Sequence, residues 1–278
     1  MSTTLPRRPS QRLLPAVATT VLAALLAACG TTTAPSSGTA GGAAPGAGST
    51  VAATGSADLS GTVTVLAAAS LTESFDQLKK DFEAAHPGVT VETSYGSSST
   101  LVQQVNNGAP ASVIALAGTA AAEPLDKSLV KDTGNFATNV LEIAVPPANP
   151  AGVASLNDLA KPTVKVVLCA DTAPCGKAAQ ATFKKAGIVP NVVSKEVDVK
   201  ATLAKVKLDE ADAAVVYHSD VVAAKDAVKG VEIEPQYNTQ LSYPVITLSD
   251  DAATKAFVAY VLGEKGLATV QSFGFGAP

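Results

Sequence analysis

The chain has no Trp, one Met, two His and three Cys in 278 residues, and aromatic side chains make up only 4% of it. Arginine is scarcer still in the body of the protein. Arg7, Arg8 and Arg12 are the full set, and no Asp or Glu precedes Asp58. Without that start, 17 Lys face 24 acids, a balance of −7. These absences exclude a basic stripe for nucleic-acid phosphates and an Arg fork for bidentate capture of a carboxylate or phosphate. The histidine count excludes more. Cys169 and Cys175 have no His or further Cys near them in sequence, so a zinc-type cluster has no ligands and no metal site is expected.

What is present begins with an address. Arg7, Arg8 and Arg12 precede an apolar run from Leu13 to Ala28, 16 residues that suit a secretory signal better than a membrane span. The run ends Leu26-Ala27-Ala28-Cys29, which resembles the bacterial lipobox, so residues 1–28 are expected to be cleaved and Cys29 to carry a lipid. Residues 29–60 hold Ala, Gly, Ser, Thr and Pro with one acid and no aromatic. Such a composition buries too little apolar surface to offset ordering entropy and reads as a tether. The protein is therefore expected to be exported and lipid-anchored at the outer face of the cytoplasmic membrane.

The remaining residues alternate in type. Val63–Ala69 is an apolar run rich in β-branched residues, suited to a strand buried on both faces. Leu71, Phe75, Leu78, Phe82 and Ala85 then recur at helical spacing until His86-Pro87-Gly88 closes the helix. Further strands are expected at 89–93, 113–116, 140–145, 164–170, 192–197, 213–217, 231–234 and 244–248. Helices are expected at 100–107, 156–159, 176–186, 199–206, 220–228, 251–262 and 265–273. This alternation predicts an α/β fold with largely parallel sheets. The Pro/Gly cluster at 146–152 and the turn-rich stretch 235–243 mark two crossings. They divide the body into a first lobe of residues 61–145 with 244–278 and a second of 146–243. A cleft between two such lobes collects strand-to-helix turns, where α/β folds bind ligands.

Ser70 stands at the first of these turns, three residues before Glu73. The pair reads either as a capping box or as part of an anion seat built on free helix amides. Tyr95-Gly96-Ser97-Ser98-Ser99-Thr100 supplies a second hydroxyl-rich turn. The turn from Cys169 to Lys177 lacks the first Gly of a phosphate loop, and Ala178 stands where its Ser/Thr belongs. In an exported protein a Cys169–Cys175 disulfide is the natural use of this cysteine pair. Tyr217-His218-Ser219-Asp220 ends another strand. An exported serine hydrolase using Ser70 or His218 is the alternative from another class, and the absence of any G-x-S-x-G elbow argues against it. Ser219 with Asp220 is expected to cap the helix that begins there.

Taken together, the sequence resembles the molybdate-binding proteins of bacterial ABC importers over roughly 61–275. The pieces that carry the likeness are Ala67-Ala68-Ala69-Ser70-Leu71-Thr72, Ser97-Ser98-Ser99-Thr100-Leu101, Gly108-Ala109-Pro110-Ala111 and Pro174-Cys175-Gly176. Asp198-Val199, Val216-Tyr217-His218-Ser219-Asp220, Tyr243-Pro244-Val245 and Phe273-Gly274-Phe275 complete it. The resemblance implies a two-lobed fold like that of periplasmic binding proteins, with an oxyanion, molybdate or tungstate, in the interlobe cleft. It implies binding by the Ser70 and Ser98 hydroxyls, the Cys175 and Val199 backbone amides and the Tyr217 phenol. It also implies no cofactor, no catalysis, a monomer, and a membrane permease as partner. Another tetrahedral oxyanion such as sulfate is the alternative ligand. Ser112 stands where the family commonly has Asp, and the usual acid a few positions on is missing from Ala115-Leu116-Ala117-Gly118-Thr119.

Overall fold

The computed structural model describes residues 59–278; the export segment, Cys29 and the tether as far as residue 58 lie outside them. β1 (Ser60–Ala68) is buried from Val65 to Ala68, as its unbroken apolar run requires. α1 (Thr72–Ala85) buries Phe75, Leu78 and Phe82 against it, and β2 (Gly88–Gly96) returns parallel to β1. α2 (Ser98–Asn106) and β3 (Val113–Ala115) complete a parallel trio in which β1 is central.

β4 (Asp132–Val145) then pairs with strands of both halves. Beyond it come β5 (Val166–Cys169), α3 (Pro174–Ala186), β6 (Val192–Glu196), α4 (Val199–Lys207) and β7 (Ala213–Tyr217). α5 (His218–Ala224) and the short β8 (Lys229–Glu232) follow, and β9 (Gln240–Thr247) leads back to α6 (Ala252–Leu262) and α7 (Glu264–Ser272). The strands lie in the order β2-β1-β3-β9-β4-β7-β5-β6, with β8 beside β4. The outer strands of each half are parallel, as expected of a βαβ alternation, but the middle is antiparallel. β9 runs against both β3 and β4, and β4 runs against β7 and β8. The reversal follows from connectivity, because β4 leaves the first half and β9 re-enters it.

Several boundaries differ from the sequence pattern for physical reasons. The first half of β4, Asp132–Asn139, has no apolar run; it is a strand because β9 pairs with it, with one register shift between Asn135 and Ala137. The same pairing draws Gln240–Tyr243 out of the expected turn and into β9. The helix expected at 156–159 is a 3-10 turn, started by a reciprocal Ser155–Asp158 capping box. α5 stops at Ala224, where Lys225 takes a positive φ of 51°, well before the expected 228.

Five of the aromatics form one cluster. Tyr243 packs edge-on against Phe136, Tyr217 and Phe275, with ring centroids 6.4, 6.1 and 5.3 Å apart, and Phe136 continues to Phe75 at 5.7 Å. Such edge contacts add to area burial, so scarce rings placed together fix the centre of the fold.

Cys169 at the end of β5 and Cys175 in the first turn of α3 are joined through sulfur, with Cα atoms 5.8 Å apart. A bridge across so short a loop restricts the unfolded chain by about 2 kcal/mol. Replacing both cysteines by Ser should therefore lower unfolding free energy by about 2 kcal/mol in urea titrations. An unchanged midpoint with unchanged slope would show that the bridge contributes nothing.

Candidate functional site

Five strand-to-helix turns converge on one small pocket between the two halves of the sheet. Ser70 lies in a 3-10 turn between β1 and α1, and Ser98 opens α2. Cys175 is the second residue of α3, behind Pro174, and Val199 is the first of α4. Tyr217 ends β7 and leads into α5. All five border the same pocket of about 210 Å³. The structure thus brings together every residue that the sequence marked for oxyanion binding.

Their surroundings favour donors. The first N–H groups of a helix have no partner within it, so Ser98, Cys175 and Val199 each present an amide where the dipole is positive. Pro174 costs nothing at its position, since an N–H there would be unpaired anyway. Gly176 lets the first turn of α3 sit hard against the preceding loop, because a Cβ there would lie 2.1 Å from the Ala170 carbonyl oxygen. The Ser98 hydroxyl accepts from the Ala117 N–H at 2.9 Å, which leaves its own proton free. Tyr217 is 1% exposed, and its hydroxyl has no hydrogen-bond partner among the described residues. Burial, reinforced by Tyr243 and the Asp220 carboxylate, pushes this phenol well above its ordinary pKa, so it is a neutral donor. Among the described residues, no Lys, Arg or His borders the pocket. The one bordering carboxylate, Asp198, is turned to cap α4, accepting from the Ala201 N–H at 2.9 Å. A larger cleft of about 830 Å³ adjoins, sharing Ala117 and Pro174 and bordered by Lys177.

Two local readings of the sequence are corrected. Ser70 and Glu73 do not form a capping box: α1 begins at Thr72, Leu71 precedes it without a side-chain cap, and both expected partners are engaged elsewhere. The Ser70 hydroxyl lies 3.2 Å from that of Tyr243, and Glu73 pairs with Lys200 at 2.7 Å. At α5, Asp220 alone takes the Tyr217 N–H, at 3.2 Å, while Ser219 accepts from Asn139 at 2.8 Å. His218 pairs with Glu142 at 2.7 Å and faces a different groove, so no Ser–His pair is assembled at the pocket.

Sequence reasoning missed three residues. Lys200 joins Glu73 of the first half to Asp220 of the second, at 2.7 and 3.0 Å. Burial opposes its charge, but the Asp220 and Glu73 carboxylates outweigh that and hold the ammonium above its ordinary pKa. Burial pushes Asp220 up, partly offset by Lys200. Tyr243 and Asn139 were missed because their partners are far away in sequence; only the Tyr243-Pro244-Val245 likeness pointed at either.

Two α/β halves around a small pocket of unspent donors define a solute-binding protein, one that holds its ligand rather than turning it over. The chain belongs to the family described as bacterial extracellular solute-binding protein, which matches residues 63–276. It is 35% identical over 221 residues to the molybdate-binding protein ModA of Mycobacterium tuberculosis, covering 78% of this chain and 85% of that protein. It is 31% identical over 232 residues to the ModA of Escherichia coli, covering 77% and 89%. Among solved structures, the periplasmic molybdate-binding protein of Azotobacter vinelandii superposes with a TM-score of 0.69 at 21% identity, covering 78% of this chain and 99% of that one.

The ion triad makes a stability test. Asp220 is fully buried, so Lys200→Met strands its carboxylate and should cost about 3 kcal/mol at neutral pH in chemical denaturation. Lys200→Met with Asp220→Asn should recover most of that loss; no recovery would mean that Lys200 acts by packing alone.

Proposed function

We propose that the protein is the extracytoplasmic binding component of an ABC importer that captures molybdate or tungstate between its two lobes. The observation that carries this reading is the buried, unpartnered Tyr217 hydroxyl at a pocket that also gathers the starts of α2, α3 and α4. A buried hydroxyl without an acceptor is costly unless a ligand supplies one. A tetrahedral dianion supplies several acceptors at once, and the surrounding amides and positive helix ends favour its charge without a cation. The names of the molybdate-binding relatives agree with this chemistry.

In this reading the ligands are the Ser70, Ser98 and Tyr217 hydroxyls and the Cys175 and Val199 amides. Donors without acceptors prefer a fully deprotonated anion, because a protonated oxygen finds nothing to bond. The division into lobes 61–145 with 244–278 and 146–243 puts the crossings at 146–152, just after β4, and at 235–243, leading into β9, and closure about them would shut water out of the pocket. Lipidation at Cys29 and the tether hold the monomeric binder within reach of a membrane permease.

Calorimetry with molybdate, tungstate, sulfate and phosphate tests the ligand. Micromolar or tighter binding confined to the first two is expected, and tight sulfate or phosphate binding without molybdate heat would overturn the assignment. Tyr217→Phe should weaken molybdate binding by about 1–3 kcal/mol. Unchanged affinity would remove the phenol from the site. In a cell that exports the protein, Cys29→Ala should move it from the membrane fraction to the soluble one; retention in the membrane would overturn the lipid anchor.

A further inference from the structure

Ser70 donates to an anion only if its oxygen is satisfied without spending its own proton. Its one side-chain neighbour within bonding distance is the Tyr243 hydroxyl, at 3.2 Å, and by distance alone either group is the donor. Asn139 decides. Its Oδ1 accepts from the Val140 N–H at 3.0 Å, which fixes the amide so that Nδ2 faces the Ser219 hydroxyl at 2.8 Å and the Tyr243 hydroxyl at 3.4 Å. An amide NH₂ only donates. The Tyr243 oxygen is therefore taken as an acceptor, and its proton points to the acceptor that remains, Ser70 Oγ. In the reverse order the Tyr243 proton would have no acceptor within hydrogen-bond distance among the described residues, in a cluster where Ser70, Asn139, Ser219 and Tyr243 are all no more than 4% exposed.

We propose that Asn139 and Tyr243 are positioning residues that hold Ser70 as a donor toward the pocket and through it exclude protonated oxyanions. The inference rests on the oxyanion reading above. The donor chain starts at Asn139 on β4, passes through Tyr243 on β9 and ends at Ser70 beside β1, while Ser219 on α5 accepts the other Asn139 amide proton. Bonds in such a chain polarise one another, so the last proton in it is the best donor. Ser98 reaches the same state more simply, with the Ala117 N–H filling its acceptor side. Both serines then have their protons free for the ligand.

The test is a double-mutant cycle on the full-length protein. Tyr243→Phe keeps the ring and its aromatic packing but removes the hydroxyl. Molybdate affinity should fall about tenfold when Ser70 is present, the equivalent of about 1.4 kcal/mol, and less than about threefold in a Ser70→Ala background. Equal losses in both backgrounds would overturn the relay, since Tyr243 would then act without Ser70. If Ser70→Ala abolishes binding, the ratio of molybdate to phosphate affinity decides, because near neutral pH phosphate carries protons and molybdate does not. That ratio should narrow about tenfold in Tyr243→Phe if a freed Ser70 accepts a proton from the ligand, and an unchanged ratio overturns the proposal. Should Tyr243→Phe not fold, Asn139→Ala is read in the same way. A folded wild-type protein that binds neither molybdate nor tungstate overturns the oxyanion reading and the relay with it. Normal wild-type binding with additive variants overturns the relay alone.

Discussion

Positive helix ends repel one another, yet three helix starts and a 3-10 turn point at a single pocket here. Each helix start carries roughly half a positive charge, and packing several together around a small volume is unfavourable unless something negative sits among them. The rest of the architecture exists to hold that convergence. Parallel outer strands deliver chain after chain to the same edge of each half, and β4 and β9 tie the halves together. In each half the turns at that edge are the starts of helices, so the site follows from the winding of the sheet and needs no special loop.

Charged side chains around the pocket are spent on one another. Lys200 lies between Glu73 and Asp220, Asp198 caps its own helix, and His218 is held by Glu142. The donors that face the pocket are consequently neutral. This division suits a protein whose body is net negative: long-range attraction gives an anion no help, so recognition depends on short, oriented bonds at the pocket. It also places an interhalf ion pair where closure would be felt, since Glu73 follows Ser70 by one turn and Lys200 follows Val199 directly.

How much of this was legible in the sequence depended on distance along the chain. The alternating strands and helices, and the Ser70 and Ser98 turns, sit in local patterns of the sequence, whereas Cys175, Val199 and Tyr217 were marked by the resemblance to molybdate-binding proteins. The first half of β4 follows no such pattern, because Asp132–Asn139 is polar and owes its extended form to β9, more than a hundred residues later. Ser70 and Glu73 show the opposite error. Their spacing is that of a capping box, but a buried tyrosine and a lysine from the other half compete successfully for both side chains. A local propensity worth about 1 kcal/mol loses to tertiary partners of that kind.

Tyr243 is where scaffold and site become one object. Its ring is the hub of the aromatic cluster, touching Phe136, Tyr217 and Phe275, so its position is set by packing. Its hydroxyl is held between Asn139 and Ser70, and burial pushes its pKa up, which keeps the proton on the phenol. A rigid ring carrying a proton that cannot be lost is a better support for a binding serine than a mobile side chain or a water would be. With only 4% aromatic residues in the chain, collecting them at the crossing of β4 and β9 stiffens the place about which the halves would have to move. Stiffness there and donor polarity at Ser70 are then two effects of the same side chain.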